Sequence, residues 1–557
     1  MRVSPVKIQG YEGHRLEEAD VLVVGSGPIG AVFSRTLVEN GRKVLMIDVG
    51  NQETKRIGDH KKNSVAVQRD ISLFTNTVKG ELSLLSVPTN VADPYVEPIS
   101  WGSSTPFIKN GQNPNQKAVD NLPAAAATRL VGGMGGHWTC CTPREHKDIE
   151  RSDLFSDSKW NDLYTRAEKL FWTDRTLFDK SIRGGLIKSV LTAAYEKKGR
   201  EVLSMPLSGK RSAKNEEFVE WGCTATILGD ELSDPSKEHD TFELRANTQC
   251  VRLIVNQASG QIDAAEVENL LGAEKYLIRA KKYIICAGAV LTPAILWNSG
   301  GLKDTLPALG CYLTEQPMAF CQVILKKTHV LDIASDSYGL GWETAVKEHE
   351  SKFPNDPLPI PFNDPDPQVY FPLTNKYRWH TQIHRDAFGY GEVPSSIDQR
   401  LVVDLRWFGY TEPSKDNYVE FSTDVKDQFG MPQPTFHYTI NDSDAKRCSE
   451  MITDMVDVAR NLGGFLPGAE PKYLAPGSAL HICGTYRAGH AKKSLEESKQ
   501  ESVVDRFGRV WGQKNLVLGG CGIIPTQNAC NPTLTAAAFA LAAADQMIKD
   551  LDEQNDE

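Results

Sequence analysis

One histidine in this chain stands inside a run of glycines, Val131-Gly132-Gly133-Met134-Gly135-Gly136-His137-Trp138-Thr139. Glycine permits positive φ and close backbone approach, so this loop suits a planar cofactor lying against the main chain rather than a place in the hydrophobic core. His137 could serve there as a covalent tether, a hydrogen-bond donor or a metal ligand. A second histidine lies in Leu480-His481-Ile482-Cys483-Gly484-Thr485-Tyr486-Arg487, upstream of Asn531. A histidine beside a carboxamide suits alcohol oxidation: the imidazole takes the hydroxyl proton while a hydride leaves the carbinol carbon, and its pKa lies near working pH.

The elements that must position these groups can be read around them. The apolar run Asp20-Val21-Leu22-Val23-Val24 ends in Gly25-x-Gly27-x-x-Gly30, an Ala- and Leu-containing helix is expected over 31–40, and a second strand over 43–47 ends at Asp48. This is strand, glycine turn, helix, strand, the start of a parallel doubly wound sheet that binds a dinucleotide. Gly25 makes the turn, Gly27 admits the pyrophosphate, Gly30 lets helix and strand pack, and Asp48 is placed to accept from an adenosine ribose. Position alone does not separate FAD from NAD. At the other end of the chain a strand runs into Gly519-Gly520-Cys521-Gly522, and Asn531-Pro532-Thr533 opens an Ala-rich helix expected over 535–549. Its free N–H groups could stabilise negative charge on a reduced ring, and Asn531 could cap the helix, face the substrate, or both.

Bulk properties set the frame. At 557 residues the chain exceeds one compact core, so two intimately joined domains are expected. A formal net charge of -10 argues against nucleic acid or an anionic membrane as partner and favours a neutral substrate. No apolar run reaches the ~18 residues of a bilayer-spanning helix. The opening residues lack the apolar core of a signal peptide and the last six match no retention or peroxisomal address, so an intracellular or non-classically exported protein is expected. Eleven scattered cysteines without metal-type spacing read as reduced buried thiols, with no metal site.

Between the two ends the pattern changes. Short alternating strands fall at 242–245, 250–255 and 262–267, with a turn at Ala258-Ser259-Gly260-Gln261 joining the last two, and Tyr283-Ile284-Ile285-Cys286 leads into a helix over 292–299. Aromatic- and Pro-rich sequence over 313–440 reads as a separate, mostly β substrate domain, followed by a helix over 443–462. The polar stretch 88–123 has few apolar anchors and is expected to be an arm that packs on another part or another subunit. The expected division assigns 15–88, 124–150, 215–312 and 475–555 to the dinucleotide-binding domain, 89–123 to the arm, and 151–214 with 313–474 to the substrate domain.

These residues resemble the glucose–methanol–choline (GMC) family of FAD oxidoreductases, and within it the branch that oxidises aldopyranoses. The resemblance runs from about Asp20 to Ile548. It includes Val24 to Gly30, Ile57 to Asn63, Val131 to Pro143, His380 to Phe388, Met431 to Phe436 and the C-terminal blocks. It implies an α/β fold, a Rossmann-like FAD-binding domain with a second α+β domain on a mixed or antiparallel sheet. It also implies FAD as cofactor, joined covalently through His137, with Thr139, Ala287, Gly520, Cys521 and Thr533 beside it. His481 and Asn531 become the catalytic pair, and Gln382, His384, Asp386, Phe388 and Tyr390 substrate-binding residues. Asp386 through Gly391 becomes a loop over the substrate, and Asp404 with Arg406 a polar pair near the pocket. The implied activity is oxidation of a sugar such as D-glucose at C2, with O2 reduced to hydrogen peroxide or with a quinone as acceptor, in a homotetramer. The alternatives are a glycoside 3-oxidase or dehydrogenase of the same fold, and a non-catalytic flavin-binding redox sensor. Two departures from the family pattern stand out: Gly135-Gly136 in place of Ser-Thr, and Ala479 in place of a valine-like residue, which should enlarge the pocket.

Overall fold

The computed structural model describes residues 8, 10–89, 111–335, 338–385 and 393–556. The expected glycine turn is present. Strand β1 (Leu16–Val24) pairs in parallel with β2 (Val44–Ile47), and the helix Pro28–Glu39 crosses between them. β2 also pairs with β3 (Phe242–Arg245). β4 (Thr248–Asn256) and β5 (Gln261–Asn269) form the expected antiparallel hairpin. β6 (Glu274–Ile285) lies along the whole of β1. Its other edge is shared: residues 274–278 pair antiparallel with β5, and Tyr283 to Ile285 pair in parallel with the strand Leu516–Leu518. The parallel centre therefore gathers all the loops that end in Gly25, Asp48, Ala287 and Gly520 at one edge of the sheet.

Close packing fixes two of the fingerprint glycines. Gly25 has φ +101°, and a Cβ there would stand 2.4 Å from the Cys286 carbonyl oxygen. A Cβ on Gly30 would stand 2.0 Å from the Gly25 carbonyl oxygen, so the third glycine serves helix–strand contact. Behind the sheet, the C-terminal helix Thr533–Asp556 buries Ala536 through Ala544 against the helix Pro28–Glu39 and the helix Asp157–Phe171. The last of these falls in the 151–214 segment expected to go with the substrate domain, yet Trp160, Leu163 and Phe171 are part of the core of the nucleotide sheet.

A second sheet is antiparallel. Strands β7 (Met318–Leu325), β8 (Gln368–Tyr370), β9 (His380–His384) and β10 (Val402–Phe408) lie in the order β7-β10-β9-β8. Alternation sorts their side chains. Ala319, Cys321, Val323, Ile383, Val403, Leu405 and Trp407 pack in one core with Met451, Met455 and Val458 of the helix Asp442–Leu462. The opposite face carries His380, Gln382 and His384 on β9, in register with Phe408, Arg406 and Asp404 on β10. A row of buried polar groups thus faces the nucleotide sheet. It is this row that the spacing of two-residue steps in His380-Thr381-Gln382-Ile383-His384 encodes.

Candidate active site

One cavity reaches from the glycine turn to the polar sheet. Gly25, Gly27 and Asp48 line it at one end; His137, Thr139, Ala287, Gly520, Cys521 and Thr533 follow; Met318, Arg406, Phe408, His481 and Asn531 close the other. Gly30 does not reach the cavity and acts through packing. Asp386, Phe388 and Tyr390, expected at the substrate, lie outside the described residues.

The nucleotide end is built to take an anion. The helix Pro28–Glu39 starts after Gly27 with no side-chain cap and with Pro at its first position, so its leading N–H groups are free for a pyrophosphate. Asp48 already accepts from Ser26 N at 2.7 Å, Ser26 Oγ at 2.6 Å and Gly50 N at 2.7 Å, which leaves an acceptor position for a ribose hydroxyl. Two buried polar atoms on the cavity wall have no protein partner among the described residues, His137 Nδ1 and Gln249 Oε1. Those atoms, the uncapped helix and the glycine cradle fit a dinucleotide cofactor.

His137 is only 1% exposed, so the expectation that its loop stays out of the core holds only in the sense that the ring walls a cavity. Its Nε2 meets Thr128 Oγ1 at 2.9 Å, and burial lowers its pKa to about 4, so it is held neutral. The glycines before it are explained by their neighbours. A Cβ on Gly135 would stand 2.7 Å from Pro28 Cγ, and one on Gly136 would stand 2.7 Å from Leu130 Cδ2.

At the far end a ladder of directed hydrogen bonds runs through the expected pair. Arg406 Nη2 donates to Gln382 Oε1 at 2.9 Å, and Gln382 Nε2 donates to Asn531 Oδ1 at 2.9 Å. Asn531 Nδ2 lies 3.2 Å from His481 Nε2, and His481 Nδ1 lies 2.7 Å from Gln316 Oε1. Arg406 Nε also donates to His384 Nε2 at 2.8 Å. Gln382 and His384 therefore stand behind Asn531 and Arg406 and do not line the cavity. The Asn531 side chain is spent on Gln382 and His481, not on capping the C-terminal helix, whose first residue is Thr533.

His481 is half-buried and faces the cavity, and desolvation by the surrounding protein, with His380 and Arg406 nearby, lowers its pKa to about 3. Its orientation has a backbone origin. Leu480 holds φ +59°, a left-handed conformation costly for a branched residue, and the Glu315 carboxyl group accepts from His481 N at 3.1 and 3.3 Å. Glu315 and Gln316 were not singled out from the sequence. They sit in a connection before β7 with no motif spacing, and only the fold brings them under the histidine. The same is true of Asp427 and Phe429, which line the cavity where Arg129 pairs with Asp427 at 3.2 Å and lies over the Phe429 ring at 4.3 Å. Ala479 does line the cavity, as its small side chain had suggested.

Comparison with known proteins identifies the family. Family models for GMC oxidoreductase match residues 228–318 and 413–540. The chain is 41% identical to the pyranose 2-oxidase of Emericella nidulans, over 97% of this chain and 94% of that protein. The chain belongs to the GMC oxidoreductase family. It is also 41% identical to the pyranose 2-oxidase of Lyophyllum shimeji, with 97% and 93% covered. The C-glycoside 3-oxidase of Microbacterium trichothecenolyticum is 27% identical, with 95% and 96% covered. Among solved structures, formate oxidase superposes with a TM-score of 0.63 over 97% of this GMC chain and 99% of its own, at 15% identity, a likeness of fold.

Proposed function

We propose that this GMC oxidoreductase is an FAD-dependent pyranose 2-oxidase, taking an aldopyranose such as D-glucose to the 2-keto sugar. The observation that carries the reading is the pairing of His481 Nε2 with the Asn531 carboxamide at 3.2 Å on the wall of the dinucleotide cavity. When bound, FAD supplies the hydride acceptor and is reoxidised by dioxygen, giving hydrogen peroxide, or by a quinone.

The protein's part is to bind, orient and move one proton. Gly25, Gly27 and the helix after them hold the pyrophosphate and Asp48 the ribose. His137, neutral and with a free ring nitrogen, is the point of covalent attachment. A sugar hydroxyl entering between Asn531 and His481 gives its proton to His481 Nε2, while Asn531 Nδ2 donates to the same oxygen. Thr139, Ala287, Gly520, Cys521 and Thr533 shape the cofactor end, and Met318 and Phe408 offer apolar surface to the sugar. The cavity lies between the two sheets, where a positioned general base can act on a bound hydroxyl. The assembly is a homotetramer, in keeping with the polar arm; light scattering of the purified protein checks the mass.

One observation favours a second reading, a glycoside 3-oxidase. Ala479 leaves room beside His481, and a C-glycoside 3-oxidase stands among the relatives. Anaerobic mixing with glucose should bleach the flavin band, and NMR of the product should show the carbonyl at C2. A carbonyl at C3 would choose the second reading. No bleaching by any sugar or glycoside would leave a flavin-binding sensor.

A further inference from the structure

The ladder through His481 has a direction, and both of its ends set it independently. At one end Arg406 has donors only, so Gln382 must turn its oxygen to Arg406 and its amide N–H to Asn531. Asn531 must then turn its own N–H to His481 Nε2, which has to be the bare, accepting nitrogen. At the other end Gln316 Nε2 donates to the Asn528 carbonyl at 3.0 Å, to Asn528 Oδ1 at 2.8 Å and to the Cys530 carbonyl at 2.8 Å. Backbone carbonyls only accept, so Gln316 cannot be turned over, and its oxygen faces His481 Nδ1 at 2.7 Å. That contact requires the proton on Nδ1. The two arguments share no atom outside the imidazole and reach the same tautomer.

We propose that Gln316 is the positioning residue that keeps the His481 proton on Nδ1, so that Nε2 is always presented bare to the substrate. This deepens the sugar-oxidase reading and rests on it for its kinetic part. Gln316 is buried and joins the histidine to the 528–530 segment, whose Ala529 and Cys530 N–H groups are held by Glu150 Oε1 at 2.7 and 3.0 Å. One side chain thus registers His481 against the loop that carries Asn531. Gln316 also stabilises the product of proton transfer, because an imidazolium donates a charge-assisted Nδ1–H bond to the same oxygen. Arg406 opposes that charge, and the Glu315 carboxyl, on the His481 backbone N–H, is pushed up by burial to about 8 and offers no fixed negative charge below that pH. A neutral amide oxygen is therefore the nearest group that favours the charged form.

The test uses the holoenzyme with 15N-labelled histidine and two variants, Gln316→Leu and Gln316→Glu. The His481 nitrogens are assigned by their loss in His481→Asn. In the wild type, Nδ1 should carry the proton and Nε2 none at neutral pH. In Gln316→Leu the Nδ1–H loses its acceptor, a cost that competes with the Asn531 N–H bond at Nε2, so the variant should populate the Nε2–H form beside the Nδ1–H form and slow anaerobic flavin reduction by at least ~10-fold, with sugar affinity and flavin content within about twofold. Gln316→Glu keeps the acceptor toward Nδ1 but loses the donor toward Asn528 and Cys530, so it should recover part of the rate that Gln316→Leu loses and move the acid limb of the reduction profile to higher pH. An unchanged nitrogen pattern in Gln316→Leu would overturn the proposal, as would equal slowing of both variants with an unmoved acid limb. Should Gln316→Leu not fold, the nitrogen pattern of the wild type and the shifted limb of Gln316→Glu decide alone. If no sugar reduces the wild-type flavin, the oxidase reading falls, while the nitrogen measurement still decides the tautomer.

Discussion

With its conjugate acid held at about 3, His481 stays a neutral base across the whole range in which a histidine in water would titrate. The base is lost only as pH falls through that lowered value, so the rate constant for anaerobic flavin reduction should stay level from pH 8 to pH 5. A decline centred near 6.5 in stopped-flow traces would mean that the imidazole is solvated in the working enzyme. Replacing it, His481→Ala, should cost at least ~10²-fold in the same rate constant, the usual yield of a positioned base. At the other histidine, His137→Ala should leave flavin in the supernatant after acid precipitation, where the wild type keeps it in the pellet. The residues behind these predictions could be picked out from sequence because glycine runs and a His near an Asn-Pro helix start have few uses. Gln316 could not: a lone glutamine before a proline has no spacing to mark it. Gln382 and His384 were reached through the family resemblance alone, and whether they meet the cavity or stand behind Asn531 depends on which strand lies beside them.

Strands and helices were legible wherever apolar residues kept a period, and illegible where charges broke it. The helix Asp442–Leu462 begins within a residue of its expected start. β1 begins at Leu16 rather than at Asp20, because Glu17, buried in the strand, is neutralised by Arg15 and by Arg245 at 2.8 Å, and no local pattern announces an ion pair made that far along the chain. β6 extends back to Glu274, with Lys275, Arg279 and Lys281 reaching solvent among the buried Leu277, Ile278 and Ala280. The helix Asp442–Leu462 is fastened to the polar sheet by one carboxylate. Asp454 takes Arg200 at 2.6 and 2.9 Å, and its Oδ2 accepts from Trp379 Nε1 and Trp407 Nε1, both at 2.8 Å. Arg200 is itself enclosed, 3.8 Å from the Phe371 ring and 4.2 Å from that of Tyr377. Asp454→Ala would leave that guanidinium buried without a counter-charge and two indoles without an acceptor. The expected cost is about 3–5 kcal/mol, read as a lower denaturant midpoint. Since Trp379 precedes β9 and Trp407 lies on β10 beside Arg406, reduction should also slow at denaturant concentrations that leave the wild type untouched. A variant as stable as the wild type would show that Arg200 finds water or another carboxylate.

Across the molecule, burial has been applied to both kinds of titrating group, and the consequences for stability run in opposite directions. His60, His137, His380, His384 and His481 are all pushed down, the first, third and fifth to about 3 and His137 to about 4. An unfolded chain takes up a proton on each as pH falls below about 6.5, while the folded chain does not, so each removes up to about 1.4 kcal/mol per pH unit on the way down. Glu145, Glu150, Glu315 and Asp48 are pushed up by desolvation, and they favour the folded state at low pH and lose that advantage as pH rises through their folded values, about 8 for Glu315. Asp364 and Asp444 are pushed up as well, but each is restrained by an arginine, and Asp48 and Glu150 by the N–H groups that they accept from, so below 6.5 the five histidines set the direction of the balance. Above 6.5 the histidines fall silent and the buried carboxyls still drain stability, Glu315 up to about pH 8. The thermal midpoint of the holoenzyme should therefore peak between about pH 6 and 7 and decline on either side, more steeply toward acid. Scanning calorimetry from pH 4.5 to 8.5 measures this directly, with flavin absorbance followed in parallel so that loss of the cofactor is not read as unfolding. A midpoint that climbs steadily toward acid would mean that the buried carboxyls, not the histidines, dominate the proton balance, and that the cavity around His481 is wetter than its packing indicates.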